Sequence, residues 1–217
     1  MTTFVTEDRI AVYNGIEQGS EEWLKIRLGK VTASRVADIL AKTKSGPSAS
    51  RQNYLIELAL QRVTGTFEQS FTTPAMQDGI DRESQARVLY EVTTSNFVDQ
   101  TPFIDHPTIV GFGASPDGLV NLDGMCEIKC RANAGHWEVI KSKEIPKKYW
   151  IQQQAQLSCA NRVWNDYVGY NPNFPDKSKL FVQRVYRDET FINEMELEIK
   201  KFLKEVEEET KRIANGE

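Results

Sequence analysis

Ser115-Pro-Asp-Gly-Leu-Val-Asn-Leu-Asp-Gly-Met-Cys-Glu-Ile-Lys-Cys130 is the stretch on which the reading of this 217-residue chain turns. It divides into two β-prone runs, Gly118–Asn121 and Met125–Arg131, joined by a tight turn around Asn121–Gly124. A hairpin centred there sets Asp117 nearly opposite Glu127. Glu127 and Lys129 lie two residues apart and share one face of their strand, while Cys126, Ile128 and Cys130 share the other, apolar face. Two acids and an ammonium group therefore converge beside a sheet. Converging carboxylates repel, and burial raises the cost. A hard divalent cation resolves the conflict: Mg²⁺ takes a few carboxylate oxygens, keeps waters and accepts phosphate oxygens. A lysine beside a metal-bound water orients it or helps it deprotonate, and the set suits metal-assisted hydrolysis of a phosphodiester. An ordinary surface Glu–Lys pair is the alternative reading of the same residues.

Two flanking segments bear on the choice. Gly79, Ile80, Glu83, Ala86 and Arg87 share one face of an expected helix that opens at Thr73-Pro74 and runs to about Tyr90. Glu83 faces inward there and needs a partner, either Arg87 one turn on or a metal site. Gly79 permits close approach of another backbone. Downstream, in a helix over about Lys147–Asn161, Gln152 and Gln156 share a face with Tyr149. Such glutamines hold a phosphate oxygen or a metal-bound water, or else lie exposed on a good helix former.

Around these segments the pattern alternates. Ser20 caps a short helix that carries Trp23, Ile26 and Arg27 on one side and ends at Gly29. Thr32 or Ser34 caps a second helix, Lys42–Ser50 reads as a loop, and a third helix runs from about Ser50 to Val63. Further strands are expected at Phe97–Ile104, Thr108–Ala114, Val163–Tyr170 and Leu180–Arg187. Ile192, Met195, Ile199, Phe202, Val206 and Ile213 stand at helical spacing in a last amphipathic helix, about 190–214. The order predicts a mixed α/β single domain over 1–217, with 1–16 as an N-terminal extension.

Composition sets limits. The chain is 40% hydrophobic and 27% charged, as a globular protein is. No apolar run nears the ~20 residues of a membrane span, and no basic and apolar leader opens the chain, so a cytoplasmic protein is expected. The net charge of −4 is uneven: 125–187 carries +6, while 1–124 and 188–217 carry −5 each. A basic groove for phosphates is compatible with that distribution. Cys126 and Cys130, ~13 Å apart on a strand, are too distant for a disulfide or one zinc site, and the three cysteines read as small hydrophobes. His106 and His136 lack metal-ligand spacing and read as structural.

The ordered motifs carry a resemblance. Pro116-Asp117, nine residues, then Glu127-x-Lys129 resembles the PD-(D/E)xK nuclease signature. Glu17-Gln-Gly-Ser-Glu-Glu-Trp23 through Arg27 to Ser34 resembles the opening of the lambda exonuclease and YqaJ-type viral recombinase family. Gly79-x-x-x-Glu83-x-x-Ala-Arg87, Ser115-Pro-Asp-Gly118, Glu127-x-Lys-Cys130 and Gln152-x-Gln154 follow in family order. The resemblance implies a restriction-endonuclease-like core, a mixed central sheet flanked by helices. It implies Mg²⁺-dependent 5′→3′ digestion of one strand of linear double-stranded DNA, with two ions and Mn²⁺ as a substitute. It also implies a single-strand annealing protein as partner, a homotrimeric ring, and a phage or prophage origin in a bacterial host. Asp117, Glu127 and the Ile128 carbonyl are the implied metal ligands. Lys129 positions or activates the attacking water, Glu83 assists at the second metal, and Gln152 orients metal-bound groups. Arg27, Ser34 and Ser115 form the implied pocket for the DNA 5′ phosphate, and a guanidinium with a hydroxyl near a helix N-terminus suits that anion. The loop Thr43–Arg51 shows little resemblance to the family, and Arg131 stands where the lambda enzyme has a proline.

A nickase or structure-specific endonuclease on the same core is the alternative activity. A duplex-binding or recombinase-docking module without catalysis is the non-enzymatic alternative, and a binder has no need for paired acids facing phosphates.

Overall fold

The computed structural model describes residues 4–5, 11–13, 15–44, 46–67 and 74–217. In chain order the elements are β1 (Phe4–Val5), β2 (Ala11–Val12), α1 (Glu21–Arg27), β3 (Val31–Thr32), α2 (Val36–Leu40), β4 (Lys42–Thr43), β5 (Gly46–Pro47), α3 (Ala49–Thr64) and α4 (Pro74–Thr94). Then come β6 (Val98–Asp99), β7 (Ile104–Asp105), β8 (Phe112–Ala114), β9 (Gly118–Val120), β10 (Gly124–Cys130), α5 (Asn133–Ser142), α6 (Lys147–Ala160), β11 (Trp164–Tyr170), β12 (Leu180–Tyr186) and α7 (Glu189–Asn215).

The main sheet runs β12-β11-β10-β9-β6. β10 and β11 are parallel and every other pair is antiparallel, so the sheet is mixed. Parallel neighbours need a crossover, and α5 and α6 supply it. α4 covers one face: Ala86 and Tyr90 pack with Cys126, Ile128, Trp164 and Val168. A second sheet, β1-β2-β7-β8-β3, pairs β3 with β8 in parallel. α6 touches β7, β8 and β11 as well as α2 and α7, so it joins both sheets to the helical layer. Every residue from Ile151 to Ala160 is consequently buried. A helical stretch with no solvent face must satisfy its polar side chains inside the protein.

The helical layer packs as the periodicity predicts. Ile192, Met195, Ile199, Phe202 and Val206 are buried on one stripe of α7, with Ile213 half-buried. Phe202 stacks on Tyr54 of α3 with ring centroids 5.6 Å apart. Arg51 of α3 grips Glu205 of α7 through two hydrogen bonds, 2.7 and 2.8 Å.

Several expectations are corrected. Thr32 and Ser34 cap no helix: residues 33–35 form a 3₁₀ turn, and the two hydroxyls contact each other at 3.3 Å. Phe97–Ile104 is two short strands in different sheets, because the chain crosses between the sheets at Thr101–Phe103 and Pro102 has no N–H to donate to a ladder. Lys42–Ser50 holds the β4–β5 hairpin and the start of α3, which Ser48 caps through Arg51 N at 3.2 Å. Ile80 is 60% exposed rather than inward. α5 was not anticipated: it offers only His136 and Val139 to the interior, and its Trp137 lies half in solvent. The proposed cap Thr73 lies outside the described residues; α4 itself starts at Pro74, as predicted.

The parallel β10–β11 pair leaves no room for a side chain at Gly124, which faces Trp164. A Cβ there would sit 2.0 Å from Cζ2 of Trp164, which is 6% exposed and stacked on Arg184 at 3.5 Å. Gly124→Ala should destabilise the fold by about 1–3 kcal/mol, the usual cost of overpacking. Urea unfolding measures it, and an unchanged midpoint would mean that Trp164 yields freely.

Candidate active site

β10 outruns its antiparallel partner. The ladder pairs Gly124 with Val120, Met125 with Leu119 and Cys126 with Gly118, and there β9 stops. The next step of that register sets Asp117 against Glu127, as the hairpin reading predicts. Asp117 takes over where the ladder ends: its Oδ2 accepts the Ile128 N–H at 2.6 Å. Its carboxyl is held well above the usual range, first by burial and then by the charge of Glu127, with Lys129 opposing.

Glu127 is 1% exposed and saturated with donors. Lys129 Nζ and Gln152 Nε2 both donate to Oε1, the latter at 2.6 Å, while Gln156 Nε2 donates to Oε2. Lys129 also lies over the Tyr149 ring, 5.3 Å from its centroid. Burial lowers its pKa, but Glu127 and Asp117 outweigh burial and hold it as a firm cation.

Glu83 comes to the same end of β10 from α4. One turn earlier, a Cβ on Gly79 would lie 3.9 Å from the Cys130 carbonyl, so the helix runs close against the strand. Glu83 pairs with Arg87 at 3.4 Å. Its pKa is still raised, by burial first and also by Glu127, with Arg87 pulling the other way. Of the two expectations for Glu83, the structure shows the ion pair with Arg87, and the charge of Glu127 also reaches it.

Among the described residues, no three His, Cys, Asp or Glu side chains close on one point as a ready metal cage. The donor set is instead two facing carboxylates with a third nearby, and the carboxyls of Asp117 and Glu83 are raised first by burial and then by the charge of Glu127. That fits a hard cation of the Mg²⁺ kind, which takes one or two carboxylates and completes its shell with waters and phosphate oxygens. The cysteines are free, Cys126 and Cys159 buried and Cys130 half-buried. Burial, then Glu83, pushes the Cys130 thiol up to about 11, so it is no thiolate ligand at neutral pH. The histidines are structural as expected: His106 Nδ1 accepts from Ile109 N at 2.9 Å and His136 Nε2 bonds the Ser178 carbonyl.

The second group of predicted residues gathers around Trp23. Arg27 lies flat on the indole at 3.7 Å, and the indole Nε1 donates to Ser115 Oγ at 3.1 Å. Arg27 Nε is buried without a hydrogen-bond partner, and burial pulls the guanidinium down to about 10. Ser34 is exposed and reaches this group less directly, through Thr32, whose N–H donates to Tyr54 Oη at 3.1 Å beside Arg27. Gly29 shapes the turn between Arg27 and Thr32 at φ +66°, its N–H held by Gln61 and its carbonyl by Arg62. Gln18 bonds the carbonyls of Thr101 and Pro116, tying the N-terminal motif to the peptide before Asp117.

Gln156 is the Glu127 partner that sequence reasoning undervalued. It shares the Gln152 face, but exposed glutamines are the commoner case, and only the burial of α6 on all sides separates the two readings.

The model of the YqaJ-like viral recombinase domain matches residues 22–163. The chain belongs to that family. An alkaline exonuclease (LHK-Exo) from Laribacter hongkongensis is 46% identical over 91% of this chain and 97% of that one, with a TM-score of 0.85. The same enzyme in complex with dAMP superposes with a TM-score of 0.86. A phage related exonuclease from Haemophilus somnus 129PT shares the fold at 14% identity, with a TM-score of 0.62 over 86% of this chain and 96% of that one. No curated protein matches the sequence.

Charge crowding at Asp117 has a consequence for stability. A carboxyl whose folded pKa is raised favours folding in its protonated form, and that contribution is lost as pH rises through the folded pKa. Asn at this position keeps an oxygen for the Ile128 N–H and carries no charge. In EDTA, Asp117→Asn should match the wild type in acid and exceed it by roughly 1–2 kcal/mol at pH 8, a common exchange of activity for stability. Melting curves across pH decide the matter, and a variant less stable at pH 8 would refute the crowding.

Proposed function

We propose that this family member is a DNA exonuclease that removes nucleotides from the 5′ end of one strand of linear duplex and leaves a 3′ single strand. The observation that carries this reading is the convergence of Asp117, Glu127 and Lys129 at the open end of β10, in a chain so similar to an alkaline exonuclease. Asp117, Glu127 and the Ile128 carbonyl would hold Mg²⁺ or Mn²⁺, which supplies Lewis-acid charge to the phosphate and acidifies water. Two ions fit the reading, with Glu83 serving the second through its waters.

Lys129, kept cationic between two acids, orients the attacking water and stabilises charge that develops on the phosphate. Gln152 fixes the Glu127 oxygen that it bonds. Arg27, with a buried and unpartnered N–H, receives the 5′ phosphate together with Ser34 and Ser115. The basic stretch 125–187 supplies cations for the strand backbone. The product suits a single-strand annealing protein acting next in phage-type recombination, and a ring of three copies would keep the duplex threaded. The setting is the cytoplasm of a bacterial host; no helix among the described residues is long and apolar enough to cross a membrane.

Linear duplex labelled on the 3′ end of a 5′-phosphorylated strand tests this directly. Gradual shortening of that strand from its far end, stopped by EDTA, is expected; immediate loss of label would reverse the polarity, and cutting of closed circles would indicate an endonuclease. Asp117→Ala and Lys129→Ala should each lower cleavage by about 10²-fold or more with the fold intact. Arg27→Ala should reduce the preference for 5′-phosphate over 5′-hydroxyl ends by roughly tenfold, the worth of a charge-assisted hydrogen bond. An unchanged preference would reject the pocket.

A further inference from the structure

Behind Glu127 lies a row of amides that the proposed chemistry does not use. Gln156 Nε2 donates to Glu127 Oε2, and Gln156 Oε1 accepts from Asn165 Nδ2 at 2.8 Å. Asn165 Oδ1 in turn accepts from Gln153 Nε2 at 3.2 Å, and the same Nε2 bonds the Asn165 carbonyl at 3.1 Å. Gln153, Gln156 and Asn165 are all 0% exposed. The three come from two elements, α6 and β11, that the crossover brings together beneath β10.

The row has one direction. Gln156 and Asn165 each give an N–H toward Glu127 and receive one from behind, while Gln153 opens the row as a donor whose own buried Oε1 has no partner. Turning the Gln156 amide over would set its oxygen against a carboxylate oxygen and its NH₂ against the Asn165 NH₂. Turning Asn165 over would do the same against Gln153. The orientation is thus fixed by the whole row rather than by one bond. Its last member presents an N–H to Glu127, so the row is complete only with Glu127 Oε2 turned to accept it. Lys129 and Gln152 occupy the other oxygen.

We propose that Gln153, Asn165 and Gln156 are positioning residues that hold the Glu127 carboxyl group in one orientation and thereby set the affinity of the site for its divalent cation. The inference rests on the cation reading given above. Outer partners of metal-ligating groups typically account for 10- to 100-fold in metal affinity. Asn165 touches neither Glu127 nor the cleft, so it separates this role from direct ligation. Asn165→Asp keeps the shape but cannot donate to Gln156, and frees that amide to turn its oxygen on Glu127. Gln156→Met removes the donor without adding charge, and stands as the second variant should a buried Asp prevent folding.

Mn²⁺ is the probe, titrated into DNA-free protein by calorimetry, with circular dichroism as the check on folding. Both variants should bind Mn²⁺ about 10-fold or more weakly than the wild type, and their exonuclease kcat should fall while the 5′-phosphate preference stays unchanged. Wild-type Mn²⁺ affinity in either folded variant would overturn the inference alone. A wild-type protein that binds no Mn²⁺ would overturn the cation reading, and this inference with it.

Discussion

A carboxylate with 1% of its surface in contact with solvent is the constraint on which the rest of this structure depends. An isolated buried charge costs several kcal/mol, and a buried pair is tolerable only when its remaining lone pairs are satisfied. Glu127 meets that condition with one ammonium and two amide donors, supplied by its own strand and by α6. The composition of α6 follows. A helix enclosed on every side would ordinarily be apolar all round. This one instead carries four glutamines among its buried residues. Three of them serve Glu127 directly or through Asn165, and the fourth, Gln154, bonds the Tyr186 carbonyl and the Asp188 N–H at 2.9 Å each, closing the turn into α7. The helix is a polar insert that the two sheets and the helical layer must surround.

The same constraint explains the shape of the sheet's open end. If β9 continued past Gly118, its backbone would satisfy the Ile128 N–H and leave no room for an acid. Ending it there gives that donor to Asp117 and sets a second carboxylate beside the first. Burial and the charge of Glu127 together hold the Asp117 carboxyl raised, and Lys129 offsets them only in part. Such stored conflict is characteristic of sites whose chemistry supplies the missing charge.

Much of this was legible in the sequence because a hairpin has few degrees of freedom. Period two and one turn fixed which residues faced each other, so Asp117, Glu127 and Lys129 fell into place from spacing alone. The long helices α3, α4, α6 and α7 carried enough turns for their period to show. What stayed hidden depends on tertiary enclosure. Nothing local distinguishes the buried glutamines of α6 from exposed ones, and α5 is too short, with Gly135 in its first turn, to declare a face. Thr32 and Ser34 carry good capping hydroxyls, but β3 pairs with β8 up to Thr32, and the chain leaves the strand in a tight 3₁₀ turn instead. A strand pairing overrode a local preference there.

The spacing between the two groups of functional residues has its own cause. Gln18 and Trp23 come from the segment that carries Arg27, and between them they bond the carbonyls of Thr101, Pro102 and Pro116 and the Ser115 hydroxyl. The peptide that leads into Asp117 is therefore fastened to the segment that presents Arg27, with Pro116 stiffening the connection. On the other side, Gln61 and Arg62 grip both polar groups of the Gly29 peptide, so the turn after Arg27 has little freedom. On the proposed reading, in which Arg27 receives a strand end, that end must be held at a constant distance from the reacting group, because an error of an ångström at the phosphate forfeits the alignment. Short, doubly anchored segments between Arg27 and Asp117 provide such a distance without help from a mobile loop. The residues of the N-terminal motif are thus as much a part of the site's geometry as the acids are, although none of those that do the fastening carries a charge.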